Sequence, residues 1–228
     1  MSGRDWLEWH DYYDEPGSPM HRRLLAVQEQ VGRALDRCAP GPVRLVSMCA
    51  GQGRDLLPVL AVHPRRDDTT ARLVELDGRN ARVAADMARE AGLDGVEVVV
   101  GDASATDVYA GAVPAEIVMV CGVFGNITDD DIERTISFLP QLCAGGATVI
   151  WTRHREEPDV TPSICRWFAE YGFEQLAIVP PPGPADFGLG THRYLGTAEP
   201  LRRGEQLFDF VGRRALRSRQ AGQSERPV

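Results

Sequence analysis

Lysine is missing from this chain. All 25 basic residues among its 228 are arginine, which rules out Schiff-base chemistry and a lysine general base. Long apolar runs are missing too. No stretch approaches the roughly 20 residues that span a bilayer, so no membrane association is expected. Met1-Ser2-Gly3-Arg4-Asp5-Trp6 carries no apolar signal-peptide core, and the expected location is cytoplasmic. The cysteines (Cys38, Cys49, Cys121, Cys143, Cys165) are odd in number and far apart, with no C-x-x-C pair. That spacing argues against a disulfide or zinc framework and reads as reduced thiols filling core space, so no metal site is expected. Internal repeats are absent. The one biased stretch is the tail from about Arg213, rich in Arg, Gln, Ser and Gly, where fraying is expected. A net charge of −8 disfavours a nucleic-acid backbone as the main partner.

What is present is an ordinary globular composition, 43% hydrophobic and 25% charged, in a chain long enough for one well-cored domain with appendages. The organising stretch runs from Val43 to Asp55. Its apolar run Val43-Arg44-Leu45-Val46-Ser47-Met48 ends in Cys49-Ala50-Gly51-Gln52-Gly53, and Leu56, Leu57, Val59 and Leu60 follow in helical register. This predicts a buried parallel strand, a tight turn and a helix, with Pro58 tolerated in the first turn. Without Cβ atoms at Gly51 and Gly53 the backbone can bend sharply and admit a ligand against the main chain. The helix start then aims free N–H groups at that ligand.

Two further strands end in acids. Ala71-Arg72-Leu73-Val74-Glu75-Leu76-Asp77 places Glu75 24 residues past Gly51, where a doubly wound sheet grips ribose hydroxyls. Asp77 is better read as the N-cap of the next helix (Ala81, Ala84, Ala85, Ala88, Ala91). The competing reading has both acids simply favoured by the helix dipole. Val96–Val100 runs into Gly101-Asp102-Ala103. Here Asp102 either accepts from an exocyclic amine, with the Ala103 N–H facing a ring nitrogen, or only closes an Asx turn.

The remaining elements follow in order. Trp6, Trp9, His10 and Tyr13 share one face if residues 5–13 are helical, as a packing helix or as a lid over a ligand pocket. A second helix carries Leu24, Val27, Val31, Ala34, Leu35 and Cys38 inward. A fourth strand, Ala115 to Cys121, precedes Gly122-Val123-Phe124-Gly125-Asn126-Ile127. Thr128 then caps a helix with Asp131 three residues on, whose Ile132, Ile136, Leu139 and Cys143 face inward. A fifth strand, Ala147–Trp151, leads to Thr152-Arg153-His154-Arg155, and Thr161-Pro162 opens another helix. Strands at Gln175–Val179 and His192–Leu195 are joined by a loop through Pro180-Pro181-Pro182-Gly183-Pro184 without a helix, so they are expected to be antiparallel.

In this order the residues resemble the class I S-adenosylmethionine-dependent methyltransferases. Cys49-Ala50-Gly51-Gln52-Gly53 stands where that family has its G-x-G-x-G turn. Leu73–Asp77 resembles its ribose-binding strand end, Gly101-Asp102-Ala103 its adenine-binding segment, and Cys121–Asn126 the loop that shapes the methionine end and the acceptor pocket. The resemblance covers about residues 20–196. It implies a Rossmann-like, doubly wound α/β fold with a mostly parallel seven-stranded sheet and an antiparallel C-terminal strand pair. The domains implied are an N-terminal helical lid over 1–40, the cofactor domain over 41–198 and a C-terminal extension over 199–228. The implied cofactor is S-adenosyl-L-methionine, held by Cys49, Ala50, Gly51, Gly53, Asp55, Glu75, Leu76, Asp102, Ala103, Cys121, Gly122 and Asn126.

Departures from the pattern matter. The first glycine of the turn is Cys49, and the acid two residues earlier is Ser47, so the ammonium and carboxylate of the methionine end need other partners. Asp55, Arg54 and the aromatic N-terminus are the candidates. The Asn/Asp-Pro-Pro-Tyr/Phe signature of base-amine methylases is not found after strand four. The expectation is in-line methyl transfer to a small-molecule acceptor. A general base is needed only for a protonated acceptor, with His154, His10 and Tyr13 as candidates and His192 read as structural. The competing functions are a non-catalytic S-adenosylmethionine-binding module and an NAD-dependent oxidoreductase. The chain is expected to act as a monomer or homodimer, with Leu207, Phe208, Phe210 and Val211 docked on the body or on a second subunit.

Overall fold

Strand β1 (Val43–Met48) is buried at five of its six positions, as a parallel strand covered on both faces must be. The computed structural model describes residues 13, 15–179, 187–212 and 215–216. Around β1 lie α1 (Pro19–Arg37), α2 (Leu57–Val62), β2 (Thr69–Glu75), α3 (Gly78–Glu90), β3 (Val96–Val100), β4 (Ala115–Val120), α4 (Asp129–Phe138), β5 (Cys143–His154), α5 (Thr161–Glu170), β6 (Phe173–Val179) and β7 (Phe187–Tyr194). One sheet forms with the order β3-β2-β1-β4-β5-β7-β6. β1 runs parallel to β2 and β4, while β7 lies antiparallel between β5 and β6. The sheet is the Rossmann-like arrangement expected. Strand order reverses between β1 and β4, and ligands bind beyond the C-terminal ends of strands at such a switch point.

Local chemistry sets the helix starts. The Ser18 hydroxyl accepts the His21 amide at 3.0 Å ahead of α1, and Asp77 caps α3 through the Arg79 amide at 2.9 Å. Thr128 caps α4 and donates to the Asp131 carboxylate at 2.9 Å. α1 lays Val27, Val31, Ala34 and Leu35 into a layer shared with Leu45, Leu57, Ile117, Ile150 and Leu189. The described part of residues 1–40 thus includes a helix packed on the sheet. Residues 1–12 and 14, including Trp6, Trp9 and His10, lie outside the described residues. No helix among the described residues is long and apolar enough to cross a membrane.

Several boundaries differ from expectation: β2 ends at Glu75 and not Asp77, β6 begins at Phe173 and not Gln175, and α4 ends at Phe138, short of Leu139 and Cys143. β5 begins at Cys143 and extends to His154, taking in residues read as helix and loop. Between Ala115↔Cys143 and Ile117↔Thr148 the pairing advances two residues on β4 and five on β5. A bulge thus absorbs Gly145 and Gly146, the glycines that weakened the strand signal. β7 starts at Phe187, five residues before His192. Gly190 pairs with Trp151, and a Cβ there would lie 2.3 Å from the indole. The glycine is demanded by a neighbour, although in sequence it reads as a loop. Ala85 on α3 is exposed. Leu207 and Phe208 dock on the body at 0% and 1% exposure, whereas Phe210 stays 43% exposed.

Candidate active site

The turn after β1 owes its shape to three left-handed residues, Cys49 (φ 48°), Gly51 (57°) and Gly53 (69°). At Gly53 a Cβ would lie 2.7 Å from Leu57 Cδ1 and 3.0 Å from Leu73 Cδ2, so the space belongs to glycine alone. Cys49 holds the same conformation with a side chain, at a cost of about 1–2 kcal/mol. Its thiol packs on the core cluster, where burial pushes it above its usual range. The left-handed conformation is therefore held at 49 by a residue that carries a side chain.

Glu75, at the end of β2, reaches back to this turn. Its Oε2 accepts the Gly51 amide and its Oε1 the Asp77 amide, both at 2.8 Å. Each carboxylate oxygen has capacity for another donor, and the bridge fixes the rotamer before any ligand arrives. Leu76 beside it is 71% exposed. At the end of β3, Asp102 Oδ1 accepts the Ser104 amide at 2.9 Å, so the Asx turn is made. Ala103 is buried, and its carbonyl accepts the Tyr109 hydroxyl at 2.5 Å.

Asp55, two residues past the turn, shares its surroundings with Arg23, Tyr13 and Cys121. Burial raises the Asp55 carboxyl to about 6, with Arg23 pulling it back down. The Tyr13 hydroxyl meets the Arg23 guanidinium, and His21 Nδ1 lies 2.9 Å from the Tyr13 carbonyl. Burial pushes the Tyr13 phenol above its usual value, and its oxygen accepts from the Arg23 guanidinium. Burial likewise keeps Cys121 a neutral thiol.

The loop after β4 is stapled shut. Gly122 (φ 78°) donates its amide to Thr152 Oγ1 at 3.0 Å. Asn126 Nδ2 donates to the Gly122 carbonyl at 2.7 Å, and Arg153 Nε to the Phe124 carbonyl at 3.2 Å. One N–H of the Asn126 side chain thus holds the loop. His154 ends β5, and its ring lies 3.3 Å from where a Cβ on Gly125 would stand. That places it on this loop's flank. His192 is buried in β7 against Trp151 and Phe168, consistent with a structural role.

Two groups escaped the sequence reading. Arg23 gave no signal, since its partners Tyr13 and Asp55 are distant in sequence. Gln52 Nε2 donates to Asn80 Oδ1 at 3.2 Å, and Arg54 Nε to Gln52 Oε1 at 2.8 Å. Asn80 had a signal: it is the one polar residue on the buried Ala81/Ala84/Ala88 face of α3.

A family model described as "Putative methyltransferase" matches residues 11–167. The chain belongs to that family. No curated protein matches it. Among solved structures it is similar to magnesium protoporphyrin IX methyltransferase from Synechocystis PCC 6803 with bound SAM, at 11% identity and TM-score 0.63, over 83% of this chain and 90% of that one. A similar fold is found in the CurJ carbon methyltransferase at 14% identity and TM-score 0.62, over 76% and 54% of the two chains. An rRNA methylase from Streptococcus thermophilus matches at 13% identity and TM-score 0.56, over 80% and 99%. Family and fold together make this a class I methyltransferase, an enzyme of the S-adenosylmethionine-dependent class. The residues suit that cofactor. The glycine cradle leaves no room for a Cβ at Gly53, an oriented carboxylate is bonded to the Gly51 amide at Glu75, and a second, buried carboxylate follows the turn at Asp55.

Proposed function

We propose that this methyltransferase acts on a small-molecule acceptor by in-line displacement, in a reducing cytoplasmic compartment that suits its five free cysteines. The observation that carries the reading is the Glu75 carboxylate bridged between the Gly51 and Asp77 amides, a preset grip for ribose hydroxyls at the β1 turn. Asp102 and Ala103 take the adenine side. Asp55, with Arg23 and Tyr13 beside it, takes the ammonium and carboxylate of the methionine end, replacing the acid that Ser47 does not supply. When bound, S-adenosylmethionine supplies a methyl group already activated by its sulfonium.

The work left to the chain is positional. The stapled 122–126 loop and Tyr13 hold the acceptor in line and exclude water, and alignment of this kind supplies several kcal/mol, up to about 7–11 in ideal intramolecular cases. For a protonated acceptor His154 is the base, taking the proton at the flank of that loop. A net charge of −8 repels a phosphate backbone, which supports a small acceptor over RNA or DNA.

Isothermal calorimetry tests the cofactor: the demethylated product should bind and NADH should not. The acceptor is tested by incubating enzyme and methyl-labelled cofactor with a fractionated cell extract. Label in the low-molecular-weight fraction is expected, and label confined to RNA, DNA or protein refutes the small-molecule reading.

A further inference from the structure

Residues 203–212 lie beyond the stretch matched by the family model, yet they run across both loops at the mouth of the sheet. The Thr106 amide donates to the Glu205 carbonyl at 3.0 Å, and the Leu207 amide to the Ser104 carbonyl at 2.8 Å. Ala105 and Gln206 form an antiparallel bridge between them. The loop following Asp102 and Ala103 thus gains a short added strand. Farther on, the Val211 and Gly212 amides both donate to the Asn126 carbonyl, at 3.0 and 2.9 Å. The segment is anchored at each end of its course. Arg203 Nε and the Gly204 amide reach the Asp107 carboxylate at 2.6 and 2.8 Å, while Leu207 and Phe208 sit in the core beside Tyr109 and Ile132.

We propose that residues 203–212 are a positioning strap of the active site, tying the adenine-side loop after β3 to the acceptor-side loop after β4. This inference rests on the proposed cofactor site. The two loops otherwise emerge from separate strands, and an irregular loop without partners samples many conformations. The strap supplies four main-chain hydrogen bonds to them, Thr106–Glu205, Leu207–Ser104 and the pair on Asn126. Ordering one loop by a ligand therefore favours strap docking, which orders the other. Nucleoside binding and acceptor binding are coupled through it, in either direction by linkage.

The test uses the full chain, a truncation after Arg202, and the surface variant Asp107→Ala. That variant frees Arg203 and Gly204 without touching the core, so it keeps the test valid should the truncation fail to fold. Binding of S-adenosylhomocysteine and of 5′-methylthioadenosine is measured by calorimetry, with hydrogen exchange at the Leu207, Val211 and Gly212 amides. S-adenosylhomocysteine should slow exchange at all three amides. Truncation should weaken both ligands by about tenfold or more, and Asp107→Ala by about two- to fivefold. Tight binding to the full chain with exchange at those amides unchanged, or with affinity retained in Asp107→Ala, overturns the strap. Failure of the full chain to bind either nucleoside overturns the cofactor site itself, and the strap with it.

Discussion

Replacing Asp55 by Asn should make the ligand-free protein more stable at pH 8 and a poorer binder of its cofactor. The carboxyl stands at about 6 in the folded protein against 3.8 ordinarily, chiefly because burial penalises its charge. A gap of about two pH units is worth on the order of 3 kcal/mol. The side chain keeps some solvent contact, which brings the expected gain to about 1–2 kcal/mol. For a chain of this length that raises Tm by about 2–8 °C. The sign follows from proton binding. The folded state holds the Asp55 proton more tightly than the unfolded chain, so stability falls as pH rises from about 4 to 6 and is level above. The amide in Asp55→Asn has no such titration, so the two proteins should converge near pH 4 and separate toward pH 8. Urea unfolding across that range measures the difference. Calorimetry on the same variant should show affinity for S-adenosylhomocysteine reduced roughly 10–100-fold if Asp55 holds the ammonium. A stability difference independent of pH refutes the desolvation argument. A gain in stability with affinity unchanged refutes the assignment of Asp55 to the methionine end.

The same unfolding series should expose His192, whose ring is held down to about 4 by burial. Its folded value lies below the unfolded one, so stability is lost as pH falls from about 6.5 to 4, opposite in slope to Asp55. The wild type should therefore look nearly flat there, Asp55→Asn should lose stability on acidification, and His192→Gln should gain it. Glu75→Ala strips the acceptor from the Gly51 and Asp77 amides and should cost about 1–3 kcal/mol of stability and roughly 10–100-fold in nucleoside affinity; Glu75→Gln, keeping one acceptor oxygen, should fall between. Gly53→Ala combines left-handed strain with a clash on Leu57 and should cost about 2–4 kcal/mol. Gly122→Ala has the strain but nothing within 4 Å of the new Cβ, and should cost about 1 kcal/mol. Equal costs at the two glycines in urea unfolding would contradict the crowding argument at Gly53.

What was legible in the sequence is what is encoded within a few residues. The caps at Asp77 and Thr128 and the β1 turn depend on neighbours within one turn, and Glu75, though bonded to Gly51 24 residues earlier, was legible from the fixed spacing of a glycine turn and the next strand end. What was not legible depends on partners far along the chain. Gly190 is in a strand because Trp151, 39 positions earlier, needs the volume of its missing side chain. Gly145 and Gly146 belong to β5 because β4 pairs on either side of them. The apolar run Leu207, Phe208, Phe210 and Val211 reads as a docking segment for the body or a second subunit, but the seat of Leu207 and Phe208 near the loops after β3 and β4 is set by contacts on the order of a hundred positions away.

The choice between Arg54 and Asp55 shows the same limit at single-residue scale. Adjacent in sequence, both stood as replacements for the acid that Ser47 lacks. The fold separates them. Arg54 lends its Nε to Gln52 and its carbonyl to Gln28, which turns it into a brace for the glycine turn. Asp55 instead feels the charge of Arg23 from α1, and its own charge is costly there because burial removes most of its water. Under the proposed role of Asp55, a cationic ligand offsets that cost, since the attraction of a nearby positive charge favours the ionised carboxylate that burial penalises. Ser47 is buried at 2% exposure within β1, and no charged side chain is seen bonded to it among the described residues. An acid moved to that position should therefore destabilise the apo protein more than Asp55 does.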